Sequence, residues 1–76
     1  MSQIVITKQH ESLRQFLVER RKAAELTQGE LARRLKRTQS YVSNIERGQH
    51  IVAVVELLQL ARALRFDPHE AIDALR

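Results

Sequence analysis

Residues 27–48, TQGELARRLKRTQSYVSNIERG, constrain the fold more than any other stretch of this chain. Thr27 is a good N-cap, and Gln28 and Glu30 open a helix whose apolar positions are Leu31, Ala32 and Leu35. Lys36 and Arg37 break that pattern. Thr38 then caps a second helix carrying Val42 and Ile45 three residues apart, and Gly48 stops it. Two helices this short, joined by a tight turn, bury their apolar faces by crossing each other. In a helix-turn-helix unit of that kind the second helix can lie in the DNA major groove.

The remaining periodicity supplies three more helices. A first is expected over 11–24, with Leu13, Phe16, Leu17 and Ala24 as its inward stripe. A fourth is expected over 52–64, with Val54, Leu57, Leu58, Ala61 and Leu64 at helical spacing. Asp67 caps a short fifth helix opened by Pro68 and carrying Ala71, Ile72 and Leu75. The fold class is therefore all-α, with residues 11–76 as one domain and residues 1–10 as an N-terminal arm. In that arm Ile4, Val5 and Ile6 are adjacent and β-branched, which suits a short strand, an arm on a partner subunit or a disordered tail.

With 76 residues the chain has room for one small core, built from Leu, Ala, Val and Ile because aromatics make up only 4%. A core that small is marginal, and without cysteine there is no disulfide or thiolate metal site to support it, so oligomerisation is the expected remedy. No apolar run approaches the length of a membrane span, which takes about 18 residues or more, and MSQIVITKQH does not read as a secretory signal. The expected location is the cytoplasm.

Catalysis is not expected. His10, His50 and His69 are scattered, none at a metal-binding spacing, and there is no glycine-rich phosphate loop. Asp67 and Glu70 fall in the first turn of a helix, where acids complement the dipole. No cofactor or metal is expected.

The net charge of +4 is unevenly spread: from Arg14 to Arg47 nine basic residues face four acidic ones, whereas from Gly48 onward three face four. The excess lies on the segment of the crossed helices. With Thr38 as cap, one face of the helix over 39–46 presents Gln39, Ser40, Ser43 and Asn44 near its N-terminal end, opposite Val42 and Ile45. Gln and Asn can bond adenine bidentately, while Ser is short and less selective. Polar faces on surface helices usually meet only water. Here no acid intrudes between Thr38 and Ile45, and Arg37 and Arg47 flank the face.

Three words, LTQGELA, QSYVSNIERG and VVELLQLARAL followed by DP, stand at separations that resemble the Cro/lambda-repressor-like (XRE) helix-turn-helix family from about residue 13 to residue 74. The resemblance implies a compact five-helix domain binding double-stranded DNA as a homodimer. It implies a transcriptional regulator, a repressor on a palindromic operator. The sequence shows no second domain to sense a ligand, so no small-molecule ligand is expected. The alternative is an antitoxin or other protein-interaction module of the same fold.

By position, Gln39 resembles the family's adenine-reading glutamine, and Gln28 one that holds a phosphate or braces it. Glu46 matches an acid that pairs with an arginine of the first helix, here Arg21. Phosphate partners are expected at Gln28, Lys36, Arg37, Tyr41, Arg47 and Gln49, with Arg33, Arg34 and His50 as further candidates. For Tyr41, burial of the ring between helices competes equally with a phosphate contact. Family members often carry Gly where this chain has Glu25, Lys36 and Arg65, so either these turns differ or they tolerate strain.

Overall fold

The computed structural model describes residues 7–76; the expectations for Ile4, Val5 and Ile6 lie outside the described residues. Five helices follow in order: α1 (Lys8–Ala23), α2 (Gln28–Leu35), α3 (Gln39–Glu46), α4 (Val54–Leu64) and α5 (Pro68–Ala74). No strand occurs among the described residues. The all-α expectation holds, and the bounds of α2 and α3 are those the sequence suggested.

Each start has a local cause. Thr7, Thr27 and Thr38 accept the third backbone N–H of α1, α2 and α3 on their hydroxyls at 3.0–3.2 Å. Glu30 returns the favour in α2, accepting the Thr27 N–H at 2.9 Å to close a capping box. Asp67 accepts the His69 N–H at 2.9 Å and Pro68 opens α5. Thr7 carries α1 three residues further toward the N-terminus than periodicity alone suggested, so Lys8, Gln9 and His10 belong to the helix and not to an arm.

The ends are as regular. Past α1, α2, α3 and α4 the chain turns through a left-handed residue: Glu25 (φ 58°), Lys36 (φ 57°), Gly48 (φ 78°) and Arg65 (φ 59°). In each case the next N–H reaches back to a carbonyl in the helix's last turn, as in Leu26 to Arg21, Arg37 to Ala32, Gln49 to Asn44 and Phe66 to Ala61. Of the two readings for Glu25, Lys36 and Arg65, the chain adopts the glycine-like turn and tolerates the strain, which costs a non-glycine residue roughly 1–2 kcal/mol.

The core gathers Leu17 of α1, Leu31 and Ala32 of α2, Val42 and Ile45 of α3, and Leu57, Leu60, Ala61 and Leu64 of α4. Phe66 closes it from the loop and Ala71 from α5, while the Phe16 ring meets Phe66 edge to face at 5.1 Å. α2 packs on α3 and α4, and α1 packs on α3 and α5, so the crossed pair is held from both sides. α4 begins at Val54, two residues later than expected, and its inward stripe runs 57, 60, 61, 64. That register buries Leu60 and leaves Val54 74% and Leu58 52% exposed. Ala24 lies past the end of α1 and is exposed.

Candidate nucleic-acid interface

α3 is fixed from behind by an ion pair. Arg21 Nε and Nη2 donate to Glu46 Oε2 and Oε1 at 2.6 and 3.0 Å, and Gln28 Nε2 adds a bond to Oε1 at 2.9 Å. Both charged side chains are largely buried. Burial alone would raise the Glu46 carboxyl, but the Arg21 and Gln28 hydrogen bonds outweigh it and hold the group below the usual carboxylate range. Arg21 Nη1 also donates to the Leu26 carbonyl at 2.7 Å, tying in the turn between α1 and α2. Arg14, which the sequence reading passed over, donates to the Glu46 carbonyl at 2.9 Å and covers the end of α3. A side chain at Gly48 would meet the Arg14 stem at 3.4 Å in addition to the cost of its left-handed backbone.

The outward face of α3 carries Gln39 and Ser40, both exposed, with Ser43 and Asn44 half-buried behind them. The first turn of the helix holds no acid. Gln39 Oε1 reaches toward Gly29 at the start of α2, where a Cβ would stand 3.7 Å away. Gln28 does not brace it; its amide is turned to Glu46 instead. Asn44 Oδ1 accepts from Arg47 Nη2 at 2.6 Å, which holds the Asn44 amide in one orientation.

Lys36, Arg37, Arg47 and Gln49 are exposed around this face. None of the three cations pairs with a carboxylate among the described residues, and neither does Arg33. Arg34 is directed elsewhere, donating to the Ala63 carbonyl at 2.9 Å. Tyr41 takes the buried alternative: the residue is 8% exposed and its hydroxyl donates to Glu56 Oε2 at 2.6 Å, so that proton is not free for a phosphate. Burial and then the Glu56 bond push the Tyr41 phenol up to about 12. His50 Nε2 lies 2.8 Å from the same Glu56 oxygen, which engages it in the same cluster. Glu56 is the second residue that sequence reasoning missed. Its signal was an acid at the third position of a helix, and that pattern indicates only a cap.

Crossed helices with a neutral polar outer face and unpaired cations around it define the helix-turn-helix class of DNA-binding domain. A family model described as a helix-turn-helix domain matches residues 12–75. Among solved structures, an XRE-family-like protein from Pseudomonas syringae pv. tomato is 37% identical, with a TM-score of 0.83 over 90% of this chain and 83% of that one. The restriction-modification controller protein C.AhdI from Aeromonas hydrophila is 38% identical, with a TM-score of 0.78 over 86% and 98% of the two chains. The clp gene regulator ClgR from C. glutamicum is 25% identical, with a TM-score of 0.80 over 88% and 87%. No curated protein matches the sequence. The chain belongs to the XRE-like helix-turn-helix family of DNA-binding transcription regulators. That family consists of regulators and not of enzymes. No described helix is long and apolar enough to cross a membrane, and no described group of three His, Asp or Glu side chains has a metal-binding arrangement.

Proposed function

We propose that this chain is a transcriptional repressor that binds a palindromic operator as a homodimer, each subunit laying α3 in the major groove. One observation carries the reading: the outward face of α3 is free of acids and is bordered by Lys36, Arg37 and Arg47, cations without carboxylate partners among the described residues. In this reading Gln39, Ser40, Ser43 and Asn44 meet base edges, while Lys36, Arg37, Arg47 and Gln49 hold phosphates and Gln28 adds only the amide N–H that it does not give to Glu46. Tyr41 leaves the list of phosphate ligands and becomes a support, because its hydroxyl is engaged by Glu56. The names of two similar structures, a controller protein and a gene regulator, support a regulatory role.

The homodimer rests on exposed apolar surface. Ile51, Val54, Val55 and Leu58 cluster at the start of α4 at 40–74% exposure, and Ile72 of α5 is 46% exposed. Leu75, the other large apolar residue of this end of the chain, is half-buried within its own subunit. Most of the exposed apolar surface therefore lies on the first turns of α4 and not on α5. The same face supports the second reading, a module whose main partner is another protein.

Selection of bound sequences from a random duplex pool tests the proposal. A two-fold symmetric consensus with half-site centres about 34 Å apart is expected. Failure to enrich any sequence, with weak and uniform binding, rejects the operator reading and favours the protein-partner one.

A further inference from the structure

Glu56 does more than cap α4. Its Oε1 accepts the Ala53 N–H at 2.8 Å, and that alone completes the cap. Its Oε2 serves other elements, accepting from the Tyr41 hydroxyl of α3 at 2.6 Å and lying 2.8 Å from His50 in the loop between α3 and α4. The Tyr41 ring so held carries the Arg37 guanidinium on its face, with Cζ 3.8 Å from the ring centroid. His50 packs against the same ring at 5.2 Å, edge to face. A carboxylate of α4 is thus linked through one phenol to a cation in the turn before the recognition helix.

We propose that Glu56 is a positioning residue for DNA binding: through the Tyr41 hydroxyl it fixes the ring on which Arg37 rests, and so aims the guanidinium at a DNA phosphate beside the first turn of α3. The inference rests on the DNA-binding reading above. A phenol that donates to a carboxylate is polarised, which makes its π-face more negative and a better seat for a cation. An exposed arginine otherwise samples many rotamers, and ordering it before association removes that cost from binding. Burial would raise the Glu56 carboxyl, yet the Tyr41, Ala53 and His50 hydrogen bonds hold it below the usual carboxylate range. The acceptor is therefore ionised and the phenol keeps its proton at neutral pH.

The test compares wild type, Y41F, E56Q, R37A and the two double variants containing R37A. Three readouts run together: duplex affinity against salt, the Arg37 side-chain NMR signals without DNA, and the thermal midpoint. Y41F keeps the ring and the α4 cap, so it separates positioning from folding. Without DNA, Arg37 signals displaced by the Tyr41 ring current are expected to move toward those of a free arginine in Y41F and E56Q. Affinity is expected to fall about two- to tenfold in each, the cost of ordering one side chain, and the loss should vanish in the R37A background. The salt slope should fall toward that of R37A, about one unit below wild type. Arg37 signals that stay in place, or losses that add fully to those of R37A, overturn the inference. If wild type binds no duplex, the DNA reading and the phosphate target both fail. The Arg37 signals then report separately whether the Glu56–Tyr41–Arg37 linkage itself stands.

Discussion

Arg21 and Glu46 form a two-pronged bridge from the last turn of α1 to the last residue of α3, with N–O distances of 2.6 and 3.0 Å. Because Gln28 completes the carboxylate's hydrogen bonding, the opening residue of α2 joins the same cluster. The bridge therefore spans the crossed pair and the helix behind it, and sets where α3 sits.

Removing either partner leaves a largely buried charge without its counterion. Arg21→Ala or Glu46→Ala should lower unfolding free energy by about 3 kcal/mol, the range seen when one partner of a buried pair is deleted. Urea titration followed by circular dichroism measures it. A change below about 1 kcal/mol, the range of an exposed pair, contradicts the buried-bridge account.

Acid should undo the same bridge. The Glu46 carboxyl is held below its ordinary value of 4.5, so its contribution is complete above that value. As pH falls from there toward the folded value, the unfolded chain takes up the proton first and the contribution is lost. Glu56 is shifted in the same direction and adds to the effect. Thermal midpoints should be flat near neutrality and drop below about pH 4.5, and Glu46→Gln should be less stable at pH 7 with a shallower acid slope. An identical slope in that variant would place the acid sensitivity elsewhere.

How much the sequence revealed depended on how local each cause was. Thr27, Thr38 and Gly48 act within one helical turn, so the bounds of α2 and α3 are legible in the sequence. Thr7 is an equally local cap, but its helix starts on polar residues without an apolar stripe, so periodicity does not reveal the first three residues of α1. Along α4 nearly every position is apolar, so periodicity did not separate the buried Leu60 from the exposed Leu58. That choice is made by α2, which packs against one side of α4. The outward face of α3 followed from helical geometry alone. The partners of Tyr41 and Gln28 did not, because Glu56 and Glu46 meet them through packing between helices that spacing does not encode.

Glu25 and Arg65 hold left-handed backbones without glycine, at φ 58° and 59°. Both are exposed, and neither belongs to the proposed DNA face. Glu25→Gly and Arg65→Gly should each raise stability by about 0.5–1 kcal/mol by relieving the Cβ clash, and the two gains should add. Lys36→Gly should gain similarly while losing a cation from the turn. Denaturant midpoints decide; a loss of stability at Arg65 would mean that its side chain makes up for the strain.

Lys36 and Gln39 should separate affinity from specificity. Lys36→Ala should weaken binding to all sequences alike and reduce the salt slope by about one unit, as expected for a phosphate contact. Gln39→Ala should cost about 1–3 kcal/mol on the best site and relax preference at one base pair in each half-site. A uniform loss in Gln39→Ala, with base preference unchanged, would make that residue a support for the helix. Binding titrations on matched and scrambled duplexes at two salt concentrations distinguish these outcomes.

Val54, Val55 and Leu58 expose apolar side chains on one side of α4, next to Ile51, and no element among the described residues covers them. One α3 helix reaches only a few base pairs, and a second copy one helical turn away doubles the recognised length. A charge placed in the middle of a self-complementary face meets its own copy across the two-fold axis, so it opposes association without disturbing the monomer's core. Leu58→Glu should therefore give a monomer with an unchanged circular dichroism spectrum. Its binding to a palindromic site should become weak and lose steepness in protein concentration, because each half-site is then filled independently. The same change in Ile72 should have a smaller effect if α4 carries most of the contact. Analytical ultracentrifugation at micromolar concentration, alone and with duplex, measures both variants. A wild type that is monomeric in both conditions, with one subunit per duplex, rejects the dimer and leaves the α4 face to a different protein partner.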